Sequence, residues 1–340
     1  MLKMMKHILI GLAALFTTLT AIGLRADPPL KRFEFTEPHM GTLFRIVLYA
    51  KDESSAKKAA KEAFARIAEL DGIMSDYRPA SELMQLCKKA GGDPVKVSAD
   101  LFAVLARAQE ISRRSDGAFD VTVGPIVRLW RKARRTRQLP SAEELKRALA
   151  LVGYEKIRLD AQKRTVQLLV MGMLLDLGGI AKGYAADAAL EVLRRHGIRQ
   201  ALIAAGGDIR VGDAPPGKQG WKIGIAPLKN PDDPPEEHIW LTDAAVSTSG
   251  DSRQFVEIAG KRYSHIVDPK TGMGLVGSRS ATVIARPIAD GLAATCCVLG
   301  PERFLKFIDG MPGTAGLYVY EKDGKTVRMA SKGFAKYLLP

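Results

Sequence analysis

His265 is one of five histidines in 340 residues and stands in YSHIVDPKTG, residues 263–272, within a run of strand-forming residues. Such a histidine is either a half-buried strand residue satisfied by backbone or a base aimed into a cleft. Its surroundings in the fold, not its sequence neighbours, set which. Three glycine-rich stretches supply what a base would need around an anionic substrate. DLGGIAKGYAAD, residues 176–187, sets a glycine pair before a helix whose first turn carries Lys182, which is either an anion site of N–H groups and an ammonium or a tight turn built only for packing. It is neither a Walker loop, lacking GK[ST], nor a dinucleotide fingerprint, whose glycines are spaced differently. AAGGDIR, residues 204–210, and STSGDSR, residues 247–253, add hydroxyls and N–H groups, although ordinary turns use the same residue types. Asp290, near the start of an apolar helix in IADGLAATCCVLG, suits a helix dipole or a hard divalent cation. In SDGAFDVTVGP, residues 115–125, Phe119 beside Asp120 offers a ring and a carboxylate to a heterocycle, or else a core phenylalanine. Together these groups describe an anion-binding pocket containing a histidine.

The elements that must hold them follow from periodicity. LFRIVLYA, residues 43–50, reads as a strand, and Phe64, Ile67, Leu70 and Ile73 mark a helix over 53–74. Further helices are expected over 81–89 behind Ser81, over 99–114, and over the basic stretch 124–136. SAEE, residues 141–144, is a capping box that opens another. KIRLD and TVQLLV form a hairpin through AQKR, and MLLDLGG reads as a strand turning into a helix that ends at Gly197. ALIAAGGDIRVG reads as a strand broken by its glycine pair, followed by the strand WKIGIA. After the proline-rich loop 230–237 come HIWLTDAAVSTSGD, RQFVEIAG and RYSHIVD. SATVIA leads to a helix over 288–299, and a hairpin on Asp323 and Gly324 closes the chain. Helices weight the first part and sheet the second, which is α+β.

Lys3, Lys6, the apolar residues 8–24 and the small Ala26 form a secretory signal pattern over 1–26, with an uncut anchor as the alternative. Residues 27–340 are then expected as the working domain, in two lobes or as one large unit. The three cysteines, two of them adjacent, make no disulfide framework and no zinc spacing. The net charge is +14, and the basic stretch 128–138 is either a solvated helix face or a surface for anionic lipid or an acidic partner. Nucleic acid ranks last for an exported chain.

MGT (residues 40–42), SDYRPASELMQL, DGAFDVTVGPIVRLW, LDLGGIAKGYAAD, AGGD, STSGD, YSHIVDPKTG and ADGLAATCCVLG, in this order over residues 33–308, resemble the ApbE-type flavin transferases, the FAD:protein FMN transferases. The resemblance implies an exported, Mg²⁺-dependent enzyme of T-fold-like α+β architecture, acting in the periplasm or at another extracytoplasmic membrane face. Such enzymes move FMN from FAD, through a phosphoester, onto a threonine of an acceptor protein and release AMP. Acceptors are subunits of membrane redox complexes or other flavin-carrying electron-transfer proteins. By position, Met40, Tyr77, Ala118, Phe119, Asp120, Lys182, Asp187, Gly206, Gly207, Ser249, Gly250 and His265 are expected around FAD. Ala181, through its carbonyl, and Asp290 are expected on the metal. His265 is expected as the base, with Asp268 or Asp251 orienting it or substituting for it.

The family usually carries threonine four residues after the metal-binding aspartate. Here Ala294 holds that place and Thr295 follows, about 100° further round the helix. Asp208 and Ser252 also depart from the family pattern, which often has asparagine and an aromatic there. A flavin binder without transfer, and an enzyme hydrolysing FAD to FMN and AMP, would use the same pocket. A non-flavin solute-binding protein would need neither the metal ligand nor the histidine.

Overall fold

The computed structural model describes residues 29–338 except 231, 236, 287 and 288, so the expected signal over 1–26 lies outside the described residues. β1 (Lys31–His39) and β2 (Thr42–Ala50) pair antiparallel across a turn at Met40 and Gly41. The sequence reading missed β1, which is an edge strand rich in charge and mostly exposed. α1 (Glu53–Met74) starts where the Asp52 carboxylate accepts the Ser55 N–H at 2.8 Å, and it buries Ala56, Ala63, Phe64, Ile67 and Leu70 as one stripe. α2 (Glu82–Lys88), β3 (Val95–Lys96), α3 (Ala99–Arg114), α4 (Gly124–Thr136) and α5 (Ala142–Leu149) follow, the last opened by the Ser141 and Glu144 capping box. β4 (Ile157–Asp160) and β5 (Thr165–Leu168) form the expected hairpin.

MLLDLGG is not a strand. Residues 173–177 join no ladder, because their N–H groups go singly to different elements. Leu175 donates to the Cys87 sulfur at 3.3 Å and Asp176 to the Val121 carbonyl at 2.8 Å. α6 (Ala181–Arg195) then begins at the glycine turn, as expected.

β6 (Ala201–Ala205) and β7 (Asp208–Val211) are two antiparallel strands, since the glycine pair reverses the chain instead of interrupting one strand. β8 (Trp221–Ile225), β9 (Glu237–Leu241), β10 (Ala244–Gly250), β11 (Phe255–Ile258), β12 (Lys261–Val267), β13 (Gly274–Val276) and β14 (Arg279–Ala285) precede α7 (Leu292–Asp309), β15 (Ala315–Lys322) and β16 (Lys325–Ala330). α7 begins later than expected and kinks at Gly300, so Asp290 lies in the turn before the helix and not in its first turn.

One antiparallel sheet organises the molecule, in the order β1-β2-β6-β7-β10-β14-β15-β16. Alternation along β2 assigns its faces. Phe44, Ile46 and Leu48 join the core under α1, α6 and α7, while Val47 joins Trp221, Ile223, Ile239 and Leu241 of the β8–β9 hairpin on the other face. A separate apolar cluster joins Ile126, Trp130 and Ala133 of α4 to Val256, Tyr263 and Val267 of the β11-β12-β13 sheet. Trp130 also donates its indole N–H to the Gly272 carbonyl at 2.8 Å, which fixes the loop after His265's strand. Among the described residues, no helix is long and apolar enough to cross a membrane.

Candidate functional site

α6 has no side-chain cap of its own, since Ile180 occupies the cap position. Its first turn is completed from elsewhere, by the Asp290 carboxylate accepting the Gly183 N–H at 2.8 Å. The other Asp290 oxygen accepts the Gly291 N–H, at the start of α7, at 2.9 Å. One carboxylate thus sits at the positive ends of two helices. Asp290 is only 4% exposed. Burial and the neighbouring Asp208 raise its pKa, while the Lys182 ammonium and both N–H groups oppose that shift. Lys182 pairs closely with Asp208 and lies 3.9 Å from Asp290, and those two charges hold its own pKa above the ordinary value against the cost of burial. Ser247 hydrogen-bonds Asp208 from β10.

The approach is close because position 183 has no side chain. A Cβ there would come within 2.4 Å of the Asp290 Cβ. Gly183→Ala is therefore expected to push Asp290 away at a cost of about 1–3 kcal/mol. A lower urea midpoint would register it, and an unchanged midpoint would mean that the contact is absent.

His265 lies on β12. Its Nδ1 is 3.0 Å from the Gln254 carbonyl, which can only accept, so Nδ1 carries the proton and Nε2 keeps a free lone pair. Burial lowers its pKa below the usual 6.5. The Gln254 bond and Asp251 oppose this, while the charges of Arg134 and Lys182 add to it. Neither expected orienting carboxylate bonds the ring. Asp268 builds the following turn, accepting the Lys270 N–H at 2.8 Å. Asp251 is buried between the Arg279 N–H at 3.0 Å and the Arg262 guanidinium at 3.0 Å, the latter an ion pair without hydrogen-bond alignment. The orienting group is a backbone carbonyl, which no side-chain pattern announces.

The other expected residues divide. Met40 lines an open cavity of about 410 Å³ with His39, Thr42, Leu43, Asp71 and Arg78. Tyr77, the neighbour of Arg78, is 73% exposed, with the Arg131 guanidinium 4.2 Å from its ring centre. Arg131 in turn holds Asp176 at 3.0 Å, which ties the aromatic to the glycine turn before α6. Arg131 was not anticipated, being one of many arginines in a basic helix.

Phe119 is 8% exposed. Its ring packs against Gly179 and Gly291, within 3.4 and 3.5 Å of where their Cβ atoms would stand, so it shapes both turns and offers little open face for stacking. Ala118 is buried beside it. Asp120 is engaged locally, accepting the Thr122 N–H at 2.8 Å and hydroxyl at 2.6 Å, and burial raises its pKa. Asp187 is taken by Arg210.

Gly207 and Gly250 are required by packing, since a Cβ would meet the Thr248 carbonyl at 2.4 Å and the Arg279 carbonyl at 2.8 Å. Gly206 turns the β6–β7 hairpin, and the Ser249 carbonyl accepts the Cys297 thiol at 3.3 Å. Ala181 sits at the first position of α6.

The metal expectation narrows. Ala294 offers only a methyl group, and the buried Thr295 hydroxyl donates back to the Gly291 carbonyl at 2.5 Å. Ala294 thus supplies no oxygen, and the Thr295 hydroxyl is already engaged by backbone. Among the described residues, no three His, Cys, Asp or Glu side chains gather as a metal cluster. Asp290, with a positive charge already drawn beside it, still offers oxygen donors of the type a hard cation takes.

The sequence profile of the ApbE family matches residues 40–318. An FAD:protein FMN transferase of Treponema pallidum (strain Nichols) is 33% identical over 308 residues, covering 86% of this chain and 85% of the relative. One from Haemophilus influenzae is 30% identical and covers 98% of each chain. The solved flavin transferase ApbE from Vibrio cholerae superposes with a TM-score of 0.83 at 30% identity, over 91% of this chain and all of that one. The apo flavinyl transferase ApbE of Pseudomonas stutzeri gives 0.81 at 29% identity, over 91% of this chain and 97% of that one.

Proposed function

The chain belongs to the ApbE family, and we propose that it transfers FMN from FAD onto a threonine hydroxyl of an acceptor flavoprotein, releasing AMP. The observation that carries the reading is the Lys182 ammonium held between two buried carboxylates at the start of α6, together with His265, whose Nδ1 is engaged by the Gln254 carbonyl so that Nε2 is left to accept a proton.

The FAD pyrophosphate is anionic and repels a nucleophile until its charge is offset. Lys182 brings positive charge to the start of α6, shared there with Asp208 and Asp290. Mg²⁺, held by Asp290 and the Ala181 carbonyl, would supply the remaining neutralisation of the phosphates. His265 Nε2 takes the proton of the threonine hydroxyl as its oxygen bonds to the phosphorus bearing riboflavin. The bond from that phosphorus to the bridging oxygen breaks, and AMP leaves with the electron pair. Tyr77, the neighbour of the cavity-lining Arg78, presents an exposed ring for the flavin. The acceptor is read as a subunit of a membrane redox complex or a related electron-transfer protein. The signal pattern over 1–26 supports export and action at the extracytoplasmic membrane face.

Purified protein with FAD, Mg²⁺ and such an acceptor tests the reading. AMP release is expected to need both the cation and the acceptor threonine, to stop with a chelator and to resume with added Mg²⁺. AMP released at full rate without an acceptor would favour hydrolysis instead.

A pH dependence follows from the sign of the histidine shift. Burial favours neutral His265, so the base is lost only when pH falls below its lowered pKa. The acid limb of kcat/KM is expected to have its midpoint below 6.5 and to vanish in His265→Gln. A limb centred above 6.5 would contradict the burial argument.

A further inference from the structure

β7 reaches α6 with two side chains of opposite charge. Asp208 takes Lys182. Arg210, two residues along the strand and so on the same face, takes Asp187. Arg210 is 6% exposed and fully engaged. It also holds Asp243 at 2.9 Å and donates to the Val211 carbonyl at 2.6 Å. Asp243, in the turn between β9 and β10, is shared with Arg194 at 2.8 Å, and Arg194 lies about two helical turns beyond Asp187 on α6.

Four charges therefore make a neutral ring that leaves α6 and returns to it. Asp243 has φ +42°, a left-handed conformation that a non-glycine residue keeps only where its surroundings enforce it. Asp187 is spent within the ring. Burial pushes its carboxyl up to about 6 even though Arg210 works against that shift. Among the hydrogen bonds and ion pairs of the described residues, no ring member touches Lys182, His265 or Asp290.

We propose that Arg210 is a positioning residue: through Asp187, Asp243 and Arg194 it fixes the start of α6 against β7, so that Lys182 and the Gly183 N–H meet Asp208 and Asp290 in register. The first turn has no cap of its own; the Tyr184 hydroxyl ties it to Asp100 at 2.8 Å, and the ring holds the turns that follow, at Asp187 and Arg194. Register matters here because Gly183 and Ala186 face Asp208, Arg210 and Asp290 across a crevice with only about 10 Å³ of free space. A shift of about 1 Å at such a centre costs on the order of 10²-fold in rate.

The kinetic half of the test rests on the FMN-transfer reading, and the exchange half does not. Arg210→Met and Arg210→Lys are compared with Arg199→Met, which breaks the exposed Arg199–Asp213 pair. In Arg210→Met, amide hydrogen exchange over residues 181–184 is expected to rise about tenfold. The rise is expected to be largely reversed by lysine and absent in Arg199→Met. The turnover of AMP release is expected to fall about 10²-fold, with KM for FAD moved only a few-fold. Asp187→Asn removes the charge pair at constant volume and replaces Arg210→Met should that variant not fold. Wild-type exchange in the first turn would overturn the proposal. So would a rise spread evenly over the chain, which would make Arg210 a support of global stability alone. A wild-type protein that releases no AMP would count against FMN transfer and leave the exchange comparison to decide the positioning role.

Discussion

Replacing His265 by alanine is expected to lower the turnover of FMN transfer by about 10²–10⁴-fold while FAD still binds. The size follows from what the ring does. Threonine hydroxyl is a poor nucleophile at neutral pH, and Nε2 is the free acceptor that the Gln254 carbonyl leaves available. Binding should survive because the groups read as holding FAD lie on other elements: Lys182 on α6, Met40 in the β1–β2 turn and Tyr77 after α1. FAD affinity by fluorescence quenching and turnover by AMP release separate the two effects. A variant that turns over normally at saturating FAD but binds it weakly would reduce His265 to a positioning group.

The second large effect is expected at Asp290. Asp290→Asn should remove about 10²–10³-fold in turnover and most of the dependence on Mg²⁺. Asparagine keeps one oxygen to accept the Gly183 N–H, so the cap of α6 is retained while the charge and the acceptor for the Gly291 N–H are lost. Lys182 keeps Asp208 as a partner, so the variant should fold. Asp290→Ala should lose the same activity and also loosen α6, because the Gly183 N–H then has no acceptor. Mg²⁺ titration of both variants, followed by thermal unfolding, checks the split. Wild-type Mg²⁺ response in the asparagine variant would take Asp290 off the metal.

Much of this was legible in the chain. The change from helical to alternating periodicity gave the α+β class, and the glycine pair before Ala181 placed the start of α6 where it occurs. The motifs from MGT to ADGLAATCCVLG carried the family. Three kinds of information were not legible. Tertiary partners were hidden: nothing in residue type shows that Asp187 pairs with Arg210 or that the Asp268 carboxylate closes its own turn. Backbone acceptors such as the Gln254 carbonyl leave no mark in residue type. Strand formation was misjudged where hydrogen bonds, and not hydrophobicity, decided it. Residues 173–177 have a strand's composition but spend their N–H groups on Cys87 and Val121, whereas the charged β1 pairs along its whole length with β2.

The most direct test of the central claim is the fate of the flavin. FAD, Mg²⁺ and an acceptor carrying a threonine are incubated with the protein and the mixture is denatured. Flavin retained on the acceptor is then compared with AMP released. Transfer predicts one bound FMN for each AMP, lost together when the acceptor threonine is replaced by valine. AMP matched by free FMN, with a bare acceptor, would contradict it and make the site a pyrophosphatase.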